Sequence, residues 1–246
     1  MKSFGLIGKD ISHSFSGEFF NGKFKAEGIS SVYSLFNLNR IDEFPDLLKK
    51  YPDLGGLNVT SPYKREIIRF LDDLSPDAEK LNAVNVINFN VSLSGETKLI
   101  GHNTDCEGFR MTIHNIVPDH TKALILGTGG ASSAVAHALV KENIPYLIMS
   151  RIPEASQIGY DRINELLPDY KLVINATPVG MYPNVSNCPI EDFSKVGKGH
   201  IFYDLIYNPA ETIFLKNAKS RGAKIVNGMQ MLINQAQLSW EIWNKG

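Results

Sequence analysis

Lys64 stands in the stretch GLNVTSPYKREI (residues 56–67), where the rules for helix starts disfavour a positive charge. Ser61 has the residue type of a helix N-cap and Pro62 that of a first helical residue, so Lys64 is predicted at the third helical position. The helix dipole and partial burial would both favour the neutral amine there. Such a lysine can exchange a proton with a substrate hydroxyl. On these residues alone, an exposed surface lysine is the stronger interpretation and acid–base catalysis the second.

Polar residues near Lys64 fall where an α/β sheet binds ligands. Asn58 and Thr60 are two positions apart on a predicted strand, so their side chains share a face near the strand's C-terminal end. Ser14 and Ser16, in ISHSFSGEFF, follow another predicted strand. Helix capping explains either serine, and two hydroxyls there could equally hold a small polar ligand.

Asp105 lies in HNTDCEGF, just before a predicted helix. Aspartate at such a place is most often a helix cap, so capping is the stronger interpretation and catalysis the second.

A glycine-rich turn in ALILGTGGASSAV predicts a dinucleotide site, because it follows a buried strand and opens a helix. Gly127 suits the tight turn, Gly129 lets the backbone approach a pyrophosphate, and Ser132 takes the place of the third glycine. The helix start, with Gly130, offers N–H groups and positive potential to phosphates. A turn without a ligand, or one that binds a flavin or sugar phosphate, remains the alternative.

The end of the next predicted strand, LIMSR, indicates which dinucleotide binds. A site for NAD normally carries an acidic residue there, which holds the ribose 2′-OH. Ser150 and Arg151 occupy the place instead. Because an arginine suits a 2′-phosphate by charge and geometry, NADP is favoured over NAD, with a solvated surface arginine as the alternative.

Short apolar strands alternate with helical segments almost throughout the chain, which predicts an α/β protein with mostly parallel sheets. Residues 1–103 form a predicted substrate-binding domain, and residues 104–227 form a predicted Rossmann-like nucleotide domain. The C-terminal helix, residues 228–246, is expected to pack back on the first domain.

Composition excludes several classes of function. The 246 residues are 43% apolar with a net charge of −1, which gives no reason to expect nucleic acid or an anionic membrane as partner. Two cysteines make no disulfide framework, and the histidines show no metal-ligand spacing. No segment reads as a signal peptide or a membrane span, so a cytoplasmic location is expected.

Taken together, these segments resemble those of the shikimate dehydrogenase family, in the same order along nearly the whole chain. The matching segments are ISHSFS, NVTSPYK, NAVN, GHNTDCEGF, GTGGAS, NATPVGM, YDLIYNPAETIFL and NGMQMLINQA. The resemblance implies an NADP-linked, reversible reduction of 3-dehydroshikimate to shikimate in aromatic amino-acid biosynthesis. The partners implied are this small-molecule substrate and the cofactor, with no nucleic acid, membrane or metal, in a monomer or homodimer.

The resemblance also implies the roles of individual residues. Lys64 and Asp105 would form the catalytic pair at the reacting oxygen. The implied substrate-binding residues are Ser14, Ser16, Asn58, Thr60, Asn85, Tyr207 and Gln235. The implied cofactor-binding residues are Gly127, Gly129, Gly130 and Ala131 at the diphosphate, Ser150 and Arg151 at the adenosine phosphate, and Thr177 and Gly228 near the nicotinamide.

The chain departs from the family pattern around the adenosine pocket. Ile152 replaces a threonine, and Glu154 stands at the second basic position. The segment after Arg151 is also about a dozen residues shorter than usual, so a helix beside the sheet is expected to be missing. An NAD-linked quinate/shikimate dehydrogenase and a non-catalytic shikimate- or nucleotide-binding protein are the alternatives. A folate-linked dehydrogenase is disfavoured by the S-x-S and NTD segments.

Overall fold

The structure, a computed structural model, describes residues 2–12, 14–92, 95–154 and 156–244. It divides into two compact units: Met1–Thr104 with Ala236–Gly246, and Asp105–Gln235. The predicted division follows residue 103 and groups the whole last helix with the first domain, whereas residues 228–235 group with the second unit. Among the residues described, no helix has the length and apolar character needed to cross a membrane.

Strands and helices alternate along the chain, and the predicted α/β class with mostly parallel sheets is confirmed. The strands are β1 (Ser3–Gly8), β2 (Val32–Asn37), β3 (Leu54–Val59), β4 (Asp73–Leu74), β5 (Val86–Val91), β6 (Thr97–His102), β7 (Ala123–Leu126), β8 (Tyr146–Ser150), β9 (Gln157–Gly159), β10 (Leu172–Asn175), β11 (Ile201–Asp204) and β12 (Lys224–Val226). The α-helices are α1 (Phe15–Ala26), α2 (Phe44–Lys50), α3 (Pro76–Leu81), α4 (Asp105–Ile113), α5 (Gly130–Lys141), α6 (Ile163–Leu166), α7 (Ile213–Ser220) and α8 (Met229–Asn244).

The first unit contains a mixed sheet of order β2-β1-β3-β5-β6-β4. Strand β1 pairs parallel with β2 and β3, whereas β5 runs antiparallel to both β3 and β6. The C-terminal ends of β1, β3 and β6 and the N-terminal end of β5 therefore lie at one edge. The predicted substrate-binding positions in this unit follow or precede these strand ends.

Both faces of this first sheet are covered by apolar side chains. Leu6 belongs to a cluster with helix α1 and the end of α8, while Ile7 belongs to the opposite cluster, as the two-residue period of a strand requires. Phe4 stacks on Trp243 with ring centroids 4.9 Å apart, and the Trp243 indole donates to the Ile87 carbonyl at 3.0 Å. These contacts pack the C-terminal part of α8 against the first sheet.

The second unit is a fully parallel sheet of order β12-β11-β10-β7-β8-β9. From β7 the chain proceeds to β8 and β9 on one side, then returns to β10 on the other side. The boundary between β7 and β10 is thus a topological switch point, where open parallel sheets bind ligands. Among the described residues between β8 and β10, the regular elements are β9, a 3-10 turn and the four-residue helix α6.

The prediction of an α-helix starting at Pro62 is wrong. Residues 61–65 form turns, and a 3-10 helix follows at Glu66–Phe70. The Val84 N–H donates to the Lys64 carbonyl at 2.7 Å, so this backbone bonds to another segment of the chain. Because Lys64 does not occupy the first turn of an α-helix, the dipole explanation for its chemistry does not hold.

Glycine is required at position 56, where β3 passes beneath the Trp243 ring. A Cβ at Gly56 would overlap three atoms of the indole, whereas one at the exposed, helical Gly22 would meet nothing within 4 Å. We expect Gly56→Ala to lower the free energy of unfolding by about 1–3 kcal/mol through overpacking. The matched Gly22→Ala should raise it by roughly 0.5–1 kcal/mol. Urea unfolding followed by tryptophan fluorescence checks both; a neutral Gly56→Ala would contradict this packing.

Candidate functional site

Ser14 and Ser16 lie at the start of α1, beyond the C-terminal end of β1. The Ser14 hydroxyl accepts the Ser16 N–H at 3.3 Å and so caps the helix. Both serines are half-buried. The capping interpretation of Ser14 is therefore correct, and its lone pairs and hydroxyl proton leave room for a second partner.

Asn58 lies on the α1 side of β3 and is 5% exposed. Its Oδ1 accepts the Tyr33 hydroxyl at 2.8 Å. Its Nδ2 donates to the Asn85 carbonyl at 3.2 Å and to Ser239 Oγ at 3.0 Å. Since both amide protons are used inside the unit, Asn58 ties β2, β5 and α8 together at the sheet edge.

Asn85 precedes β5 at the same edge and holds the segment that follows β6. Its Oδ1 accepts the Thr104 N–H at 2.8 Å, and its Nδ2 donates to Thr104 Oγ1 at 2.9 Å. Asn103 adds a bond from its Nδ2 to the Ala83 carbonyl at 2.9 Å. Thr104 is the residue before Asp105, so this network fixes the backbone that leads to Asp105.

Lys64 is half-buried and follows β3 by five residues. The Val84 N–H donates to the Lys64 carbonyl. The residue before it, Tyr63, is held by its hydroxyl, which donates to the Leu38 carbonyl at 2.7 Å. Thr60, also half-buried, bridges back to β1 through its N–H, which donates to the Ile7 carbonyl at 3.0 Å. The structure thus brings Thr60 and Lys64 to the edge that carries the serines.

The glycine-rich turn after β7 has the geometry of a phosphate cradle. Gly127 has a φ of +108°, which favours glycine, and a Cβ there would lie 2.8 Å from Thr177 Cγ2. The space around Gly129 and Gly130 is open, and Gly129, Gly130 and Ala131 are exposed. Among the described side chains none caps α5, so its N-terminus is available to an anion. These residues fit a cofactor diphosphate.

Thr177 is held beside this turn by Asn175 at the end of β10. Asn175 Oδ1 accepts the Thr177 N–H at 3.0 Å and its hydroxyl at 2.6 Å. Asn175 Nδ2 in turn donates to Asp204 Oδ1 at 3.0 Å. Asp204, fully buried at the end of β11, also accepts the Ile206 N–H at 3.0 Å and the Thr212 hydroxyl at 2.6 Å. One carboxylate therefore ties together the loops after β10 and β11.

Burial raises the pKa of Asp204 to about 6, against the lowering effect of the hydrogen bonds from Thr212, Ile206 and Asn175. The free-energy cost of removing the carboxylate charge from water exceeds the stabilisation that these hydrogen bonds give to the charged form. Neither Asn175 nor Asp204 was singled out by sequence analysis. Both lie inside segments that resemble the family, NATPVGM and YDLIYNPAETIFL. Their place in these segments is the feature of the sequence that could have identified them.

Tyr207 and Gly228 follow the C-terminal ends of β11 and β12, and Gln235 lies on α8. Tyr207 is half-buried in the loop after β11, and the Gly228 N–H donates to the Ile206 carbonyl at 3.0 Å in the same loop. Gln235 lies on α8, where its Nε2 donates to the Leu232 carbonyl at 3.0 Å. Gly228 is thus placed beside the loop that carries Tyr207.

Ser150 is the last residue of β8, and Arg151 follows it at the same edge. The Ser150 hydroxyl donates to the Ile152 carbonyl at 2.9 Å and accepts the Ile152 N–H at 3.2 Å, which closes a tight turn. Arg151 is exposed, and its charge partly offsets the rise that burial causes in the pKa of Tyr160. Ile152 is 84% exposed. The Arg151 guanidinium therefore lies on an open surface beside the end of β8.

Most of the predicted residues thus lie in two sets, one at the edge of each sheet, while Asp105 begins α4 and Gln235 lies on α8. Within the described ranges, no group of three His, Cys, Asp or Glu side chains is arranged to hold a metal ion.

Residues 6–87 match the family model described as the shikimate dehydrogenase substrate binding domain. The chain is also 37% identical, over 262 residues, to the shikimate dehydrogenase (NADP(+)) of Clostridium beijerinckii. That similarity covers 100% of this chain and 93% of the relative.

Two solved structures have the same fold. Shikimate 5-dehydrogenase from Thermus thermophilus, in complex with NADP(H) and shikimate, matches with a TM-score of 0.86 at 28% identity and covers 100% of this chain and 94% of its own. Quinate dehydrogenase from Corynebacterium glutamicum, in complex with NAD, matches with a TM-score of 0.85 at 27% identity and the same coverage. With the full-length identity to the Clostridium beijerinckii enzyme, these findings show that the chain belongs to the shikimate dehydrogenase family.

Proposed function

We propose that this protein is an NADP-dependent shikimate dehydrogenase that reversibly reduces 3-dehydroshikimate to shikimate. The observation that carries the proposal is the similarity to NADP(+) enzymes along the whole chain, at identities up to 37%. Two local features support it: the polar residues at the edge of the first sheet, and the open glycine turn at the switch point of the second. A cytoplasmic location and a monomer or homodimer stay predictions.

Lys64 is the proposed proton donor. NADPH, when bound, supplies a hydride to the ring carbonyl carbon of the substrate. Negative charge would then develop on the oxygen of that carbonyl group, and the Lys64 ammonium can stabilise this charge or transfer a proton to the oxygen. Asp105 is the proposed partner that orients Lys64.

The remaining roles divide between substrate and cofactor. Ser14 and Ser16 are proposed to bind the substrate carboxylate through their hydroxyls. The residues proposed to orient its ring and hydroxyls are Asn58, Thr60, Asn85, Tyr207 and Gln235. The residues proposed to hold NADP are Gly127, Gly129, Gly130, Ala131, Ser150, Arg151, Thr177 and Gly228.

An NAD-linked quinate/shikimate dehydrogenase is the second candidate. The quinate dehydrogenase similarity and the exposed pocket at Arg151, with Glu154 close by in sequence, favour it. Initial rates of shikimate and quinate oxidation, each with NADP and with NAD, separate the candidates. Fast turnover of shikimate with NADP supports the main proposal. Turnover of quinate with NAD supports the second, and no turnover with any pair leaves a non-catalytic binding protein.

Replacing Lys64 tests the proton donor. We expect Lys64→Met to lower kcat for shikimate oxidation by about 10²- to 10⁴-fold, since the variant keeps the stem and loses the transferable proton. Lys49→Met removes an exposed lysine of the same unit, paired with Asp46, and should leave kcat unchanged. Stopped-flow or steady-state absorbance of the reduced nicotinamide measures kcat for both variants. A Lys64→Met enzyme with normal kcat would exclude the lysine from the chemistry.

Arg151 and Glu154 test the choice of cofactor. Arg151→Ala should raise KM for NADP about tenfold and barely change KM for NAD, because only NADP has the phosphate that the guanidinium binds. Glu154→Lys should lower KM for NADP. Arg162→Ala removes an exposed arginine of the same unit that pairs with Glu165, and serves as the control. Equal effects of Arg151→Ala on both cofactors would contradict the assignment.

Asp204 makes stability depend on pH. Its pKa is about 6 in the folded chain against an ordinary 3.8, so between these values the folded chain keeps a proton that the unfolded chain releases. The free energy of unfolding should therefore fall as the pH rises from about 4 to about 6. Asp204→Asn should reduce this dependence, whereas Asp119→Asn, at an exposed carboxylate of the same unit, should retain it. Urea unfolding across this pH range is the measurement, and an unchanged slope in Asp204→Asn would refute the assignment.

A further inference from the structure

We propose that Asn175 and Asp204 are positioning residues for the nicotinamide end of the cofactor, because together they fix the two chain segments that carry Thr177 and Gly228. The inference rests on the proposed function, which takes Thr177 and Gly228 as neighbours of the nicotinamide. The side chains of Asn175 and Asp204 are fully buried, so their effect on the cofactor must act through the residues that they hold.

The Asp204 carboxylate determines which way the Asn175 amide faces. Above its pKa of about 6 this carboxyl is ionised and can only accept hydrogen bonds. Asn175 must therefore turn its amide nitrogen toward Asp204, and Nδ2 lies 3.0 Å from Asp204 Oδ1. The opposite orientation of the amide would bring two acceptors together. The amide oxygen of Asn175 is thus directed to the loop after β10.

The oriented amide holds the segment that carries Thr177. Asn175 Oδ1 accepts the Thr177 N–H at 3.0 Å and the Thr177 hydroxyl at 2.6 Å. Asn175 Nδ2 also donates to the Val179 carbonyl at 3.3 Å, and the Val179 N–H donates to Thr177 Oγ1 at 3.2 Å. The hydroxyl proton of Thr177 is thus used within the loop, while its Cγ2 methyl lies against Gly127. Thr177 therefore borders the glycine turn with its methyl group, at a position that Asn175 sets.

Asp204 holds the segment that carries Gly228 through the loop after β11. Its Oδ1 accepts the Ile206 N–H at 3.0 Å, and the Ile206 carbonyl accepts the Gly228 N–H at 3.0 Å. The Leu205 N–H donates to the Asn175 carbonyl at 3.0 Å, and a Cβ at Gly228 would overlap the Leu205 carbonyl. Both segments therefore depend on the same buried pair.

Asn175→Ala tests the inference, since it removes the amide and leaves the backbone bond from Leu205. We expect kcat/KM for NADP in shikimate oxidation to fall roughly tenfold, because the Thr177 loop loses its hydrogen bonds and a small displacement near the reacting atoms slows the reaction. Adenosine 2′,5′-bisphosphate carries the adenosine end of NADP without the nicotinamide, so its inhibition constant should not change. A general loosening of the second unit would weaken the binding of both ligands.

Asp204→Asn is the second variant, because it keeps the size of the side chain if Asn175→Ala does not fold. An amide can present its oxygen or its nitrogen to Asn175, so one orientation is no longer forced. We expect kcat/KM for NADP to fall by a smaller factor, roughly two- to fivefold. The double variant should lose less than the product of the single effects, because both residues act through one network.

Asn164→Ala is the matched control. It makes the same substitution on α6 of the second unit, where Asn164 Nδ2 donates to Asp192 at 2.8 Å. It should leave kcat/KM for NADP and the inhibition constant unchanged. Equal losses for NADP and for the bisphosphate, unchanged kcat/KM in both site variants, or independent effects in the double variant would overturn the inference alone. Absence of turnover by the unmodified chain would overturn the proposed function and this inference with it.

Discussion

Both candidate sites depend on parallel strand pairing, which places several strand ends at one edge of each sheet. In the second unit all neighbours are parallel, so the turns after β7, β8, β10, β11 and β12 meet along one edge. In the first unit β5 is reversed, and its N-terminal end takes the corresponding place. Residues far apart in sequence, such as Ser14 and Asn85, thereby reach the same edge without a long loop.

Buried hydrogen bonds then determine how the side chains at these edges point. Asn58 joins three elements of the first unit, and Asp204 joins two loops of the second, each with its described polar atoms satisfied. A buried amide or carboxylate without partners would cost about 1–3 kcal/mol or more, so these networks favour a single arrangement. The two sites are held by interior residues as well as by the groups that would touch a ligand.

The adenosine end of the cofactor site is built differently. Arg151 is exposed, Ile152 beside it is 84% exposed, and the hydroxyl of Ser150 bonds within its own turn. An exposed charge is screened by water and salt, so its contribution to phosphate binding is modest. Under the proposed assignment of Ser150 and Arg151, selectivity for NADP depends on a few surface side chains, whereas the glycine turn that fits a diphosphate depends on backbone geometry.

The sequence by itself determined the alternation of elements, the glycine turn and the order of the matched segments, because each of these depends on local residue types and their spacing. It predicted Gly127 correctly as a tight-turn residue, and the positive φ agrees. It misjudged the segment around Lys64, where the Lys64 carbonyl accepts the N–H of distant Val84 and Tyr63 donates to the carbonyl of distant Leu38, and these bonds outweigh the local signals for a helix. Only the tertiary structure showed that Tyr33 donates to Asn58 and that Asp204 accepts from Asn175, since these partners come from other strands and no local pattern encodes them.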